Sequence, residues 1–214
     1  MRRLLAVAAA AVAVVAAPAS ADARRIRHCK LPAGAVVRAK NARVVVYQRD
    51  VGRVRRIVGC LLHTGGRTRL ADVHPSDQRA RRIEVARQYA ALVLDTFDRI
   101  DQAQFVVARS YDLRDGRVKW SSVAGYNDGG QGTSFAVPSL ALARNGAFAY
   151  IVITSHRTSG SRTARVRIRS RHGSRTADSG SADPSTGIDR RSLELDGLTA
   201  RWTHAGEGRS ASLH

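Results

Sequence analysis

A hairpin-like unit recurs four times along this chain and limits the possible folds more than any other feature. Each unit has a short apolar segment, a tight turn and a second apolar segment. The four pairs of segments are Val36–Ala39 with Arg43–Tyr47, Ile83–Ala86 with Ala90–Leu94, Leu140–Ala143 with Ala147–Thr154, and Leu193–Leu195 with Thr199–Thr203. Two of the turns, Asn145-Gly146 and Asp196-Gly197, are dipeptides that two-residue hairpin loops favour because their central positions need positive φ. The spacing predicts a repeated antiparallel structure.

Further strand-like runs follow the first pair of segments in each unit. They are Arg53–Leu62, Arg67–Ala71, Gln104–Leu113, Arg117–Val123, Thr163–Ser170 and Arg209–Leu213. Short runs rich in Val and Ile, separated by regular turns, are typical of all-β proteins. Aromatic residues make up only 5% of the chain, so the core must consist mainly of Val, Ile, Leu and Ala.

Antiparallel units of about four strands, repeated every ~40–50 residues, are typical of propeller blades. We predict one all-β domain over residues 22–214, built as a small propeller-like array of about four units, the last one incomplete. The expected units lie near residues 29–75, 80–125, 136–180 and 188–214. The segment Arg24–Leu31 is the candidate for closing the ring. A β-sandwich is the alternative fold.

Two polar connections interrupt this pattern, Tyr126–Thr133 and Gly173–Gly187. A glycine-rich loop that cradles phosphate should open a helix, and the residues after Thr133 have a strand-like pattern instead. Both segments are therefore predicted to be loops.

The hairpin units and segments such as Leu140–Tyr150 give the chain a resemblance to exported β-propeller-like repeat proteins of high-GC Gram-positive bacteria. It is broadly similar to WD40, PQQ-like and TolB-type propellers over most of residues 29–214. The chain lacks the Trp-Asp ending of WD40 blades and the aromatic docking motif of PQQ-like blades. Because propellers serve as enzymes, binding proteins and scaffolds, the resemblance assigns no functional residue.

The first 21 residues have the pattern of a secretory signal peptide. Arg2 and Arg3 form a basic start, Leu4–Ala17 is apolar, and Ala19-Ser20-Ala21 fits a cleavage site, with Ala21-Asp22-Ala23 as an alternative. The apolar run is shorter than a membrane span requires. We expect a protein without a transmembrane segment after cleavage, secreted or associated with the cell wall.

Two cysteines, Cys29 and Cys60, are the only ones in the chain. Export to an oxidising compartment favours a disulfide between them. Such a bond would stabilise the fold by ~3–4 kcal/mol if it closes a loop of this length without strain. A metal site and a reactive thiol beside His28 are the alternatives.

The charge of the chain is strongly positive, with 36 Lys and Arg residues against 17 Asp and Glu residues. Arg165, Arg167, Arg169 and Arg171 alternate with smaller or apolar residues, and a strand would place these four side chains on one face. Guanidinium groups match phosphate and carboxylate geometry. Anionic cell-wall polymers, lipid headgroups and extracellular DNA are therefore candidate partners, with a cell-wall polymer or a protein as the expected one. A solvated outer strand in an arginine-biased proteome is the alternative interpretation. Specific nucleic-acid binding is not expected, because no aromatic residues alternate with these arginines.

The sequence supports a catalytic function less well than a binding function. The segment Gly132–Pro138 resembles the sequence around the nucleophile of subtilisin-like serine proteases, and that resemblance makes Ser134 the only candidate for a serine hydrolase. The available base and acid, His63 and Asp95, come in the reverse order for that family and outside its motifs. The histidines and acidic residues show no metal-ligand spacing. We therefore expect a non-catalytic binding or structural module, with no metal and no cofactor.

Overall fold

A computed structural model describes residues 28–98, 100, 103–127 and 132–214. The predicted signal peptide at residues 1–21 lies outside these residues, as does the first half of the segment Arg24–Leu31. Within the described ranges, no helix has the length and hydropathy needed to cross a membrane.

The described chain consists of four antiparallel sheets, in which each strand pairs with the next strand in sequence. The first sheet contains β1 (Val36–Lys40), β2 (Val44–Val51), β3 (Val54–Leu61) and β4 (Arg67–Val73). The second sheet contains β5 (Gln78–Ala86), β6 (Tyr89–Phe97), β7 (Gln104–Asp112) and β8 (Arg117–Asn127). The third sheet contains β9 (Thr133–Leu142), β10 (Phe148–His156), β11 (Arg162–Ser170) and β12 (Gly173–Ser181). The fourth has only β13 (Glu194–Asp196), β14 (Thr199–His204) and β15 (Glu207–Ser212).

This architecture confirms the prediction of an all-β, propeller-like array with an incomplete last unit. Each predicted pair of apolar segments forms the first hairpin of one sheet. The hairpin of the fourth sheet differs by one residue, because Asp196 pairs with Thr199 and the loop is Gly197-Leu198. Gly197, with φ of 62°, supplies the positive φ that such a loop requires.

The first strands of the sheets, β1, β5, β9 and β13, contact one another in sequence. Their hairpin turns lie at one end of the array, which we call the hairpin end. There the side-chain amide of Asn41 donates to the carbonyl of Arg87 at 3.3 Å, and that of Asn145 donates to the carbonyl of Leu213 at 3.5 Å. Each of these asparagines therefore connects its own turn to the following sheet.

Hydrophobic clusters fill the spaces between consecutive sheets. One cluster joins the first and second sheets around Ile57 and Leu92, and another joins the second and third around Phe148 and Tyr150. A third cluster joins the third and fourth sheets and includes Trp202. Among the described residues, no such cluster joins the first sheet to the fourth.

The outer face of the first sheet is covered by the segment before β1. Cys29 and Cys60 are at bonding distance, with their Cα atoms 6.1 Å apart, and both are buried. They share a cluster with Tyr47 and with the partly buried Leu31. The described part of the segment Arg24–Leu31 therefore packs on the sheet that follows it.

The loop prediction for Gly173–Gly187 is wrong over its first nine residues, which form β12. This strand lies at the sheet edge and pairs only with β11, so its side chains remain largely exposed. A polar edge strand lacks the apolar alternation by which strands are recognised. The loop prediction for Tyr126–Thr133 is wrong at its ends, since Tyr126 and Asn127 end β8 and Thr133 begins β9, and residues 128–131 lie outside the described residues.

Candidate functional site

The arginine-rich segment forms β11, which lies between β10 and β12 in the third sheet. Ala164, Val166 and Ile168 are buried on the side that faces the fourth sheet. Arg165, Arg167 and Arg169 lie on the opposite face, as the alternation predicts. Arg171 follows the end of the strand and lies in the turn before β12. We call Arg165, Arg167 and Arg169 the arginine row.

The arginine row faces the second sheet. The neighbours of these residues on β10 are Val152, Tyr150 and Phe148, and all three pack in the cluster between the second and third sheets. β11 is therefore an inner strand of its sheet and not an outer one, although Arg165 on it is exposed to solvent. Sequence alternation specifies which side chains share a face, but only the tertiary structure shows what that face meets.

Side chains of β8 and β12 hold two members of the row. The guanidinium of Arg169 lies 5.5 Å from the centre of the Trp120 ring, within cation–π range. Arg167 donates to the Ser174 hydroxyl at 3.2 Å, and Ser174 lies 3.1 Å from the Ser122 hydroxyl. Both arginines are half-buried, and the Nε atom of each is buried without a hydrogen-bond partner. Arg165, in contrast, is exposed and makes no side-chain hydrogen bond or ion pair in the described structure.

The hydrogen bonds that start at Arg167 continue through Ser174 and Ser122 to the buried Tyr150 phenol. The phenol oxygen lies 2.8 Å from the Ser122 hydroxyl. Burial raises the pKa of Tyr150, while the hydrogen bond with Ser122 and the charge of Arg167 act in the opposite direction. The phenol is therefore neutral at physiological pH, and the positive charge of the row is not neutralised from this side.

The third sheet carries a large excess of positive charge. The described residues 132–182 contain only one carboxylate, Asp178, against eight arginines. The eight are Arg144, Arg157, Arg162, Arg165, Arg167, Arg169, Arg171 and Arg175. Within the described structure, none of them forms an ion pair. The positive charge of this sheet is therefore not neutralised by ion pairs within the described structure.

Asp178 is fully engaged by the fourth sheet. It accepts a hydrogen bond from Trp202 Nε1 at 2.7 Å and lies 2.9 Å from His204 Nδ1. Burial acts to raise the pKa of Asp178, but the hydrogen bonds from Trp202 and His204 outweigh this effect and leave the pKa below its ordinary value. Nothing in the sequence signals this arrangement, because its members lie 24 and 26 residues apart on different sheets.

The first sheet provides a contrast in charge. Arg56 and Arg69 both pair with Asp72, at 2.9 and 2.6 Å. The Arg56 hydrogen bond is the main reason that the pKa of Asp72 lies below its ordinary value. A cluster of arginines in the sequence is therefore not always a cluster of available charge.

Ser134, the candidate nucleophile, lies near the start of β9 and is exposed. Ser134 and His156 both line a cavity of about 530 Å³. The His156 ring nitrogen Nδ1, however, contacts the Thr133 hydroxyl at 3.4 Å. No carboxylate is among the described residues that line this cavity. Asp95 is engaged by Arg81 and Gln104, and His63 follows β3 in the first sheet, at the hairpin end.

Metal ligands do not converge in the described part of the chain, where no group of three or more His, Cys, Asp or Glu side chains could hold an ion. The chain matches no protein-family model and no curated protein sequence.

Proposed function

We propose that this protein is an exported, non-catalytic module that binds an anionic polymer of the cell envelope through the arginines of its third sheet. The observation that carries the proposal is the group of eight arginines without a carboxylate partner. The predicted signal peptide and the disulfide, which is typical of proteins in oxidising compartments, support the extracellular location.

The arginines of the third sheet have different roles in this proposal. Arg167 and Arg169 are anchored by Ser174 and Trp120, so they hold positive charge at a fixed position between the second and third sheets. Arg165 and Arg171 are exposed and project guanidinium groups that an approaching anion reaches first. Residues two apart on one strand face are separated by ~6.6 Å, so the row places positive charge at a regular spacing, with Arg165 as its exposed end.

Co-sedimentation with purified cell wall and with polyphosphate, across a salt series, tests the proposal. The test variant is Arg165→Ala/Arg171→Ala. The control is Arg201→Ala/Arg209→Ala, which removes the same charge from two exposed arginines that are ion-paired with Asp196 and Glu207. We expect the test variant to dissociate at lower salt, and the slope of log K against log salt should fall by about one for each anionic group that the variant no longer neutralises.

Equal losses in the test and control variants would contradict the proposed surface, because only net charge would then matter. Release of the wild-type protein from both materials at the same moderate salt would indicate generic attraction. Retention on cell wall alone at high salt would indicate a specific polymer site.

A non-catalytic module needs no reaction at Ser134. A screen for hydrolysis of chromogenic esters and peptides tests whether the protein is a hydrolase, with Ser134→Ala as the comparison. Hydrolysis by the wild-type protein that is abolished in Ser134→Ala would replace the binding proposal with an extracellular serine hydrolase.

A further inference from the structure

A second basic site lies between the first and second sheets, at the end opposite the hairpin turns. It is an open cavity of about 470 Å³. Its polar lining consists of four arginines and two glutamines, which are Arg38, Arg55, Arg79, Arg81, Gln48 and Gln78. Val73, Pro75 and Ala80 complete the lining, and none of the lining residues is acidic. The arginines come from three strands of two sheets, so the fold brings together groups that are far apart in the sequence.

Two β-bulges place arginines at this cavity. In β1, Val37 pairs with Tyr47 and Ala39 with Val46, which makes Arg38 the extra residue. In β5, Arg81 and Arg82 lie opposite a single residue of β6, between the Ala80–Leu94 and Ile83–Leu92 pairs. Bulges redirect side chains and are enriched beside functional sites.

The third sheet shows that the bulge itself does not need an arginine. Its first strand, β9, has a bulge at the corresponding position, where Val137 and Pro138 lie opposite one residue of β10. The same backbone irregularity is therefore compatible with two uncharged residues. The backbone of the bulge therefore does not require arginine at these positions of the first two sheets.

The cavity offers hydrogen-bond donors without free acceptors. Arg38 donates to Gln48 Oε1 at 2.7 Å, and the backbone N–H of His74 donates to Gln78 Oε1 at 3.3 Å. Each of these amide oxygens already accepts one hydrogen bond, and each amide NH₂ group can donate into the cavity beside the guanidinium groups. Side chains that offer mainly donors suit a ligand rich in acceptors.

The charges of the lining specify the ligand further. Arg55 lies 3.6 Å from Asp50, and Arg81 lies 3.1 Å from Asp95. Arg38 and Arg79 have no carboxylate partner in the described structure, so about two positive charges remain uncompensated. We propose that this cavity binds a doubly charged phosphate group, either free or as a phosphate monoester, through Arg38 and Arg79 and the amides of Gln48 and Gln78.

Isothermal titration calorimetry with the mature protein tests this site. The probes are inorganic phosphate, glycerol phosphate and, as a carboxylate control, acetate, all at constant ionic strength. We expect saturable binding of the two phosphates and none of acetate. Inorganic phosphate that binds without glycerol phosphate would indicate free phosphate as the ligand, and comparable binding of both would indicate recognition of the monoester group.

Arg38→Gln and Arg79→Gln should each weaken phosphate binding by about tenfold or more, because each removes charge-assisted hydrogen bonds. Arg53→Gln is the matched control, since Arg53 is exposed in the β2–β3 turn of the same sheet and does not line the cavity. Circular dichroism would confirm that the variants keep the wild-type fold. An equal loss in Arg53→Gln, or no saturable phosphate binding by the wild-type protein, would overturn the proposal.

Protonation of the ligand provides a second test. Phosphate monoesters lose their second proton near pH 6, whereas arginine stays charged throughout this range. Binding should therefore strengthen from pH 5 to pH 7.5, and pH-independent affinity would contradict recognition of the dianion. Arg201→Ala/Arg209→Ala, in the fourth sheet and outside both proposed sites, should bind phosphate as the wild-type protein does. Arg38→Gln and Arg79→Gln leave the arginines of the third sheet in place, so phosphate binding and polymer binding are tested separately.

Discussion

The first and fourth sheets are the two ends of the array, and the structure stabilises them by different means. The first sheet has an apolar outer face that is covered by the segment containing Cys29 and secured by the disulfide to Cys60. The fourth sheet has one strand fewer and a polar outer face, with exposed ion pairs such as Arg201–Asp196. It is joined to the third sheet by Trp202 and His204, which share Asp178.

An end sheet has a neighbour on only one side, so half of its surface must be covered or made polar. Covering the first sheet requires a chain segment and a covalent bond, which makes that end sensitive to reduction. The fourth sheet has a polar outer face and is attached through one apolar cluster and the hydrogen bonds to Asp178. Because Asp178 titrates, part of this attachment is sensitive to protonation. We therefore expect reduction to destabilise mainly the first sheet and acid to destabilise mainly the fourth.

Loss of the disulfide should have the largest effect. The bond joins residues 31 positions apart, and Cys29→Ala/Cys60→Ala should cost about 3–4 kcal/mol. Native-state hydrogen exchange should show the loss of protection mainly in the first sheet, while amides of the fourth sheet remain protected. A loss of similar size in all four sheets would show that the two ends are not independent.

Removal of the Asp178 carboxylate should weaken the opposite end by a smaller amount. Asp178→Ala leaves the N–H groups of Trp202 and His204 without their acceptor, at a cost of about 1–3 kcal/mol. The chain contains only two tryptophans, so Trp202 fluorescence in a Trp120→Phe background reports urea unfolding of the fourth sheet.

Asp196→Ala is the control for this experiment. It removes the same charge from an exposed ion pair of the fourth sheet, where an effect below about 1 kcal/mol is expected. Equal unfolding midpoints for Asp178→Ala and the wild-type protein would show that packing alone holds the fourth sheet.

Acid should remove part of the same contribution without any substitution. The folded pKa of Asp178 lies below the ordinary value of 3.8, so the ionised group stabilises the fold above that pH. This stabilisation is lost as the pH falls through the folded pKa. The difference in unfolding free energy between the wild-type protein and Asp178→Asn should therefore shrink as the pH falls below about 4. A constant difference down to pH 2 would contradict the role of the charge.

Local patterns in the sequence predict the hairpins of this fold well. Turn residues such as Asn145 and Gly146 act over a few positions, and apolar segments on both sides fix the strand pairing. The polar edge strand β12 is not recognised from its sequence. It is stabilised by pairing with β11 rather than by apolar side chains of its own. The sequence also predicts that Arg165, Arg167 and Arg169 share a face.

What the sequence could not provide is the position of one sheet relative to another. Trp120 lies beside Arg169 across two sheets, and Arg38 and Arg79 line one cavity from different sheets. No local pattern encodes such positions. The cavity between the first two sheets also depends on bulges at Arg38 and Arg81, which leave no signature in an arginine-rich segment.

The smallest expected effects concern the turn asparagines, which occur near both ends of the array. Asn41 and Asn145 each have two functions, because the side-chain oxygen accepts from the backbone of the turn and the NH₂ group donates to the next sheet. Replacement by Asp keeps the acceptor and removes the donor, so Asn41→Asp and Asn145→Asp isolate the hydrogen bond between sheets.

We expect each Asp variant to lower the free energy of unfolding, measured in urea, by about 0.5–1.5 kcal/mol, and the corresponding Ala variant to lower it more. Asn41→Asp should act on the junction of the first and second sheets, and Asn145→Asp on that of the third and fourth. Equal losses in the Asp and Ala variants would assign the whole effect to the connection between sheets, whereas an unchanged Asp variant would assign it to the turn.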